Sequence, residues 1–190
     1  MTSQIIELLS AILCLWSIWL NTRRKTAGWP IGLVSVLLAA WVYFHAGLLA
    51  ECGLQLFYLV SGIYGWWQWA GAEDKFKDKK VTAISISGQE GVIGIMAGMG
   101  ISLLIWMVLK EMPDAKNPLP DAFLTGFSLL AQVWLARRKL ENWLLWMLIN
   151  MGSVVLYIQR ELWYFSLLYG LLLLLAIRGF MEWRKSIKEC

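Results

Sequence analysis

The chain has 190 residues, of which 59% are hydrophobic and 16% are charged. A soluble domain of this length would have too little polar surface to cover its core, so the composition predicts an integral membrane protein with lipid around it. The formal charge of +4 does not indicate a nucleic-acid partner, because the basic residues lie at the ends of apolar runs rather than on a polar face.

The apolar residues fall into seven runs of about 16 to 23 residues, and a helix needs roughly 20 such residues to cross a bilayer. In chain order the predicted spans are 5–20, 29–44, 48–70, 91–109, 121–136, 143–157 and 162–180. Backbone groups in lipid must satisfy their hydrogen bonds within the segment, which favours helices throughout. The fold class is therefore all-α with seven transmembrane helices, and the short links leave no room for a soluble domain.

The distribution of basic residues predicts the orientation of the chain. Lysine and arginine number three in the N-terminus and the second, fourth and sixth loops, and thirteen in the other loops and the C-terminal tail. Basic residues are retained on the cytoplasmic side. The N-terminus is therefore predicted to face outwards and the C-terminus inwards.

An internal repeat emerges when the sequence is shifted by 114 positions against itself. The shift aligns Trp29 with Trp143, Gly65 with Gly179 and the Arg-Arg-Lys run at 23–25 with that at 137–139. The pattern predicts two parallel three-helix repeats, 1–70 and 121–183, joined by a reversing linker helix at 91–109. Secondary transporters use such repeats and bind the substrate between them, near the middle of the bilayer.

Polar groups inside a membrane are costly, so each one is a candidate functional group. In the sixth span Trp143, Trp146 and Asn150 follow the spacing i, i+3 and i+7, which places two indoles and an amide on one helix face. These side chains suit a planar ring with polar substituents. Alternatively, Trp143 belongs to the interfacial aromatic belt and Asn150 bonds a neighbouring helix.

The third span carries the densest polar and aromatic stripe, formed by Glu51, Gln55, Tyr58, Gly62 and Trp66. Aromatic faces stabilise a nearby cation, and Glu51 could add a counter-charge near the outer mouth. The alternative is that Glu51 is merely solvated. A further candidate contact is Gln132 in the fifth span, for which helix packing is the alternative.

No other constellation indicates chemistry. The chain has one histidine, no cysteine spacing typical of a metal site or a disulfide, and few carboxylates inside the spans, so we expect no enzyme, no metal and no cofactor. Gly94 and Gly98 form a small-residue pair, which favours either close helix packing or self-association, so that a homo-oligomer such as a trimer is among the expected partners besides lipid.

These residues resemble the Pnu family of vitamin transporters. The similarity lies in Glu141-Asn-Trp-Leu-Leu-Trp146, in Ile149-Asn150 and Ser153-Val-Val155, and in Ile63-Tyr-Gly-Trp66 with Trp69. It implies a multi-pass protein of the bacterial inner membrane that lets a vitamin cross by facilitated diffusion and relies on cytosolic phosphorylation to trap it. It also implies that Trp143, Trp146 and Asn150 form the binding motif and that Gln55 and Tyr64 lie on its partner helix.

The family includes carriers of nicotinamide riboside, thiamine and riboflavin. The chain has Ser61-Gly62 before Ile63, where the nicotinamide riboside carriers have Asn, and it adds Gln132 and Glu51. Thiamine is cationic and carries an aminopyrimidine that an extra glutamine could bind. We therefore expect thiamine as the substrate, with nicotinamide riboside as the alternative and riboflavin or another vitamin behind both.

Overall fold

The computed structural model describes residues 2–45, 49–72, 81–112 and 118–188, and within these ranges it contains seven α-helices. In order they are α1 (Thr2–Thr22), α2 (Gly28–His45), α3 (Leu49–Ala70), α4 (Gly88–Leu109), α5 (Pro118–Ala136), α6 (Asn142–Gln159) and α7 (Trp163–Lys188). Each predicted span has its helix, so the all-helical prediction is confirmed.

The largest difference from the predicted boundaries is at the end of α7. The prediction stopped at residue 180, where charged residues begin, but the helix continues to Lys188. Trp183 explains the extension: its side chain is 0% exposed, its ring centroid lies 5.7 Å from that of Trp69, and its indole Nε1 donates to the Asn21 carbonyl at 3.0 Å. The last turns of α7 are therefore held by packing rather than by lipid.

Six of the described helices are long and apolar enough to cross a membrane, and α3 is the one that is not among them. It has 22 residues, but these include Glu51, Gln55 and Gln68 together with several tyrosines and tryptophans. This is the helix with the predicted polar stripe. That α3 crosses the membrane remains part of the seven-span prediction.

The contacts divide the chain into two compact units. The first unit holds α1 to α3, residues 136–138 and the end of α7 from Met181 onwards, and the second holds residues 84–135 and 139–180. In the second unit the predicted linker helix α4 packs on α5 through Gly94 and Gly98, which face Trp134 and Phe127. The small-residue pair thus serves close packing within the chain, the first of its two predicted uses.

The two Arg-Arg-Lys turns have the same backbone structure. Arg24 and Arg138 both have a φ of 60°, and the next amide bonds back to the helix, from Lys25 to Leu20 at 3.1 Å and from Lys139 to Trp134 at 2.9 Å. This is the hydrogen bond of a Schellman helix end. Each turn ends a helix, and the following helix starts four residues after the left-handed arginine.

The helix boundaries repeat with the predicted shift of 114 residues. The last residues of α1 and α5, the first and last residues of α2 and α6, and the first residues of α3 and α7 are each 114 positions apart. The repeated aromatic contacts follow the same shift, since Trp29 packs on Gly65 in the first unit and Trp143 packs on Gly179 in the second. These matches support the repeat, whose direction in the membrane stays a prediction.

Candidate functional site

The face of α6 that meets α7 is marked by three residues spaced two helical turns apart, Trp143, Asn150 and Tyr157. At one end the Trp143 ring lies over Gly179, so close that an added Cβ there would be 2.6 Å from the indole. At the other end Tyr157 stacks with Phe165 and with Tyr169, with ring centroids 5.4 Å and 5.1 Å away. Aromatic rings therefore lie at both ends of the α6–α7 contact, and Asn150 lies between them along α6.

Asn150 is buried, with 3% of its surface exposed. Within the described part of the chain its side-chain amide makes no hydrogen bond, although an amide can make four. Leaving a buried polar group without a partner costs about 1 to 3 kcal/mol. The alternative that Asn150 bonds a neighbouring helix therefore has no support, and the amide is available to a ligand.

Trp146 lies one turn before Asn150 and is half-buried. Its ring packs against a hydrophobic cluster formed by Leu130, Ala131, Trp134, Leu145 and Ile149. α6 therefore uses one side for packing on α5 and the adjacent side for its polar and aromatic residues. Part of the Trp146 ring packs on the cluster, and the rest of the ring is not buried.

Trp143, the third member of the predicted stripe, is 2% exposed. Its contact with Gly179 repeats that of Trp29 with Gly65, and Trp29 was not among the predicted substrate contacts. Both tryptophans follow the same turn and begin the same helix of the repeat. Packing therefore accounts for the position of Trp143, and its contact with a substrate remains a prediction.

Gln132 lies on α5 and is half-buried between the buried residues Ala131 and Trp134. Its side chain makes no hydrogen bond within the ranges that the structure describes. Ser128, one turn earlier, donates its hydroxyl to the Leu124 carbonyl at 2.7 Å and is satisfied by its own helix. Gln132 therefore stays a candidate contact of the second unit, whereas packing and helix bonding explain Ser128.

The predicted contacts on α3 belong to the first unit and differ in their exposure. Gln55 and Tyr58 are half-buried, whereas Trp66 is 43% exposed. Gln55 and Tyr64 are nine residues apart, which places them on opposite sides of a helix with 3.6 residues per turn. The two residues therefore lie on different faces of α3, and their contact with a substrate remains a prediction.

Two further observations concern Tyr64 and Glu51 as predicted substrate contacts on α3. The Tyr64 hydroxyl accepts a hydrogen bond of 2.7 Å from the Gln68 amide, four residues along the same helix. Glu51 lies in the first turn of α3, but its side chain is outside the part that the structure describes. The proposed counter-charge of Glu51 is therefore untested, and the Tyr64 hydroxyl has a partner of its own.

The sequence interpretation missed the aromatic stack that frames Asn150. Tyr157 follows Asn150 by the same seven residues that separate Trp143 from Asn150, so the helical period contained this signal. Phe165 and Tyr169 could not have been found in the same way, because their contact with Tyr157 depends on how α7 packs. In the described residues no group of three histidine, cysteine or acidic side chains could hold a metal ion.

Comparisons with known proteins are consistent with this architecture. A family model described as nicotinamide mononucleotide transporter matches residues 4–185. The nicotinamide riboside transporter PnuC of Escherichia coli (strain K12) is 28% identical and is aligned over 97% of this chain and 87% of its own length. The riboflavin/roseoflavin transporter RibM of Streptomyces davaonensis is 26% identical, over 93% of this chain and 83% of its own.

A solved structure has the same fold. The crystal structure of the vitamin B3 transporter PnuC superposes with a TM-score of 0.78, at 21% sequence identity, and covers 97% of this chain and 82% of that one. The likeness extends through all seven helices.

Proposed function

Because this chain belongs to the nicotinamide mononucleotide transporter family, a family of multi-pass membrane proteins, we propose that it carries nicotinamide riboside across the inner membrane of a bacterium. The proposal departs from the thiamine prediction. Of the relatives described above, PnuC is named for nicotinamide riboside and RibM for riboflavin and roseoflavin. The comparisons thus favour the alternative substrate over the one that Gln132 and Glu51 suggested.

The proposal is carried by the side-chain amide of Asn150, which is buried and has no partner among the described residues. Aromatic rings lie on both sides of it along α6, at Trp143 and at Tyr157. The solute has a positively charged pyridinium ring with a carboxamide substituent. A carboxamide can donate and accept in the same plane, which complements an asparagine side chain. The pyridinium charge would be stabilised by the face of a tryptophan such as Trp146.

The transport mechanism that fits is facilitated diffusion with trapping of the solute by cytosolic phosphorylation. Coupling to a proton or sodium gradient normally uses ionisable groups inside the membrane. Among the described residues Asp121, in the first turn of α5, instead forms an ion pair with Arg160, with Oδ2 and Nη2 2.7 Å apart. Because the Asp121 carboxylate is paired with Arg160, it does not support a relay of acidic groups, and the sequence does not indicate one either.

The substrate is tested by calorimetric titration of the purified protein with nicotinamide riboside, thiamine and riboflavin under one set of conditions. We expect the tightest binding for nicotinamide riboside. The variant Gln132→Met tests the role of Gln132. If Gln132 is only a packing residue, nicotinamide riboside should bind the variant and the wild type with affinities within about twofold of each other. Tighter binding of thiamine than of nicotinamide riboside to the wild type would refute the proposal.

The mechanism is tested by uptake of labelled nicotinamide riboside into empty proteoliposomes. We expect influx to stop when the concentrations inside and outside are equal, with or without a proton or sodium gradient. Accumulation above equilibrium that depends on either gradient would show that the transport is coupled.

A further inference from the structure

Arg137 begins the second Arg-Arg-Lys turn, and its surroundings differ from those of its counterpart in the first turn. There the Arg23 guanidinium lies over the ring of Trp19 in its own helix, 4.2 Å from the ring centroid. The shift of 114 residues places Val133 where Trp19 would be. Because a valine has no aromatic face for a cation, α5 does not offer Arg137 the partner that α1 offers Arg23.

The partner of Arg137 lies on α3 instead. Its guanidinium is within hydrogen-bonding range of the Tyr64 hydroxyl. The same hydroxyl accepts a hydrogen bond of 2.7 Å from the Gln68 amide. A hydroxyl oxygen has two lone pairs, and an arginine can only donate. The Tyr64 oxygen therefore accepts from two donors, one on its own helix and one on the turn before α6.

This contact joins the two sequence repeats. Tyr64 belongs to the first predicted repeat, 1–70, and Arg137 belongs to the second, 121–183. The packing nevertheless groups residues 136–138 with α1 to α3, and not with the remainder of α5 and α6. A turn of the second repeat is thus packed with the helices of the first, and the Tyr64–Arg137 contact is part of that packing.

The contact lies near the predicted cytoplasmic side of the membrane. Ala70 ends α3 and Ala136 ends α5, and the distribution of basic residues predicts that both of these helix ends face inwards. Tyr64 precedes the end of α3 by six residues, which is about 9 Å along the helix axis. Arg137 is exposed. An exposed contact of a charged side chain contributes little free energy, so it can break and re-form readily.

We propose that the Tyr64–Arg137 contact is a latch on the cytoplasmic side of the protein, closed in this structure and released when the solute leaves to the cytoplasm. The inference rests on the proposed function. In transporters built from repeats, alternating access moves one repeat against the other. A contact within one helix, such as that of Arg23 with Trp19, moves with its helix. A contact that joins the repeats has to change during the cycle.

The test fixes the latch with a reversible cross-link. The three native cysteines are replaced by alanine, and new cysteines are introduced by Gln68→Cys and Arg137→Cys. Because these two side chains bond the same oxygen, a flexible bis-methanethiosulfonate reagent can join the two positions, and a reductant removes it. The matched control is Trp19→Cys with Arg23→Cys, which the reagent joins within one repeat.

We expect the cross-linked Gln68→Cys/Arg137→Cys protein to bind nicotinamide riboside within about twofold of its affinity before cross-linking, but not to transport it into proteoliposomes. Reduction should restore the uptake. The cross-linked control should bind and transport the solute as it does before cross-linking. Calorimetric titration gives the affinity, and uptake of labelled solute gives the rate.

Single substitutions provide a test that needs no cross-link. Arg137→Gln removes the charge and weakens the latch, so uptake should become about two- to fivefold faster, with the affinity for nicotinamide riboside within about twofold of the wild type. Arg137→Lys keeps a cation that can donate to the Tyr64 hydroxyl, and it should transport at close to the wild-type rate. Arg23→Gln is the control and should leave uptake unchanged. Thermal unfolding checks that each variant is folded.

Several results would overturn the inference while leaving the proposed substrate intact. Uptake at the initial rate by the cross-linked Gln68→Cys/Arg137→Cys protein would show that the contact does not have to break. An equal block in the cross-linked control would attribute the block to the reagent. If the cysteine pair does not fold, uptake by Arg137→Gln at or below the wild-type rate decides against the latch. Absence of nicotinamide riboside binding by the wild type would instead overturn the proposed function, on which the latch rests.

Discussion

At the scale of single residues, the buried polar side chains separate into two classes. Most of them bond to the backbone, as the paired hydroxyls of Ser10 and Ser35 do across α1 and α2. Asn150 bonds to nothing within the described residues. The proposed ligand would give this amide the partner that the described residues do not provide.

Asn150→Leu tests that explanation. The leucine has a similar volume and no polar group, so the free energy of unfolding should stay the same or rise, because the cost of the unpaired amide disappears. Binding of nicotinamide riboside should weaken by about tenfold or more, because a polar group of the solute is left unpaired. The measurements are a thermal unfolding curve and a calorimetric titration.

Unchanged affinity in a folded Asn150→Leu protein would show that the site lies elsewhere. A large loss of stability would show that the amide has a structural partner instead.

At the scale of helices, contacts between glycine and tryptophan fix how neighbouring helices approach. Trp143 lies over Gly179 and Trp29 lies over Gly65, and an added Cβ at either glycine would collide with the ring. The helix that carries the tryptophan can approach its neighbour only because the glycine lacks a side chain. The same contact at positions 114 residues apart indicates a requirement of the fold rather than of the substrate.

Gly179→Ala should therefore destabilise the protein by about 1 to 3 kcal/mol, the usual cost of overpacking. The matched control is Gly170→Ala in the same helix, where an added Cβ would meet nothing within 4 Å. That control should be neutral or gain up to about 1 kcal/mol from the higher helix propensity of alanine. Thermal unfolding measures both, and an equal response of the two variants would contradict the packing role.

A second feature at this scale is the anchoring of the chain before α4. The Glu141 carboxylate accepts hydrogen bonds from the Ile86 amide at 3.0 Å and from the Ser85 hydroxyl. Next to it the Leu140 amide donates to the Ile84 carbonyl at 2.9 Å. Glu141 begins the motif that resembles the Pnu family, and its carboxylate positions this segment rather than capping its own helix.

Glu141→Ala should release the segment, because Ile86 and Ser85 both lose their acceptor. We expect faster amide hydrogen exchange over 84–87 and a loss of about 1 to 3 kcal/mol in the free energy of unfolding. The control is Glu111→Ala, which removes an exposed ion pair with Lys110 and should have little effect. Exchange over 84–87 at the wild-type rate in Glu141→Ala would show that the carboxylate does not hold the segment.

At the scale of the whole molecule, the number of spans decides the topology. Seven crossings place the two ends of the chain on opposite sides, whereas six would place them on the same side. The six most apolar helices do not include α3, and the basic residues favour seven, with thirteen predicted inside and three outside. The charge distribution therefore predicts that α3 crosses the membrane in spite of its polar stripe.

Reporters fused at the two ends test this topology. A reporter after Cys190 should be active in the cytoplasm, and one before Met1 should be active outside. Both reporters on the same side would exclude seven crossings. A further fusion in the third loop, after Ala72, then shows whether the helix that does not cross lies before or after this loop.

The sequence by itself determined the features that depend on local pattern and composition. Apolar runs of membrane length predicted every helix, because lipid requires each span to satisfy its own backbone. The shift of 114 residues predicted helix boundaries that recur in the structure, because the same turn sequence adopts the same Schellman end in both places. The spacing of Trp143, Trp146 and Asn150 also placed them correctly on one side of a single helix.

Only the tertiary structure decided how these faces are used. It showed that Trp143 packs on Gly179, that Gly94 packs on Trp134, and that α7 continues past residue 180 because Trp183 is buried. A helical period gives the direction of a side chain but not the neighbour that it meets, and hydrogen bonds and ring contacts depend on that neighbour. For the same reason the absence of a partner for the Asn150 amide among the described residues depends on the tertiary structure.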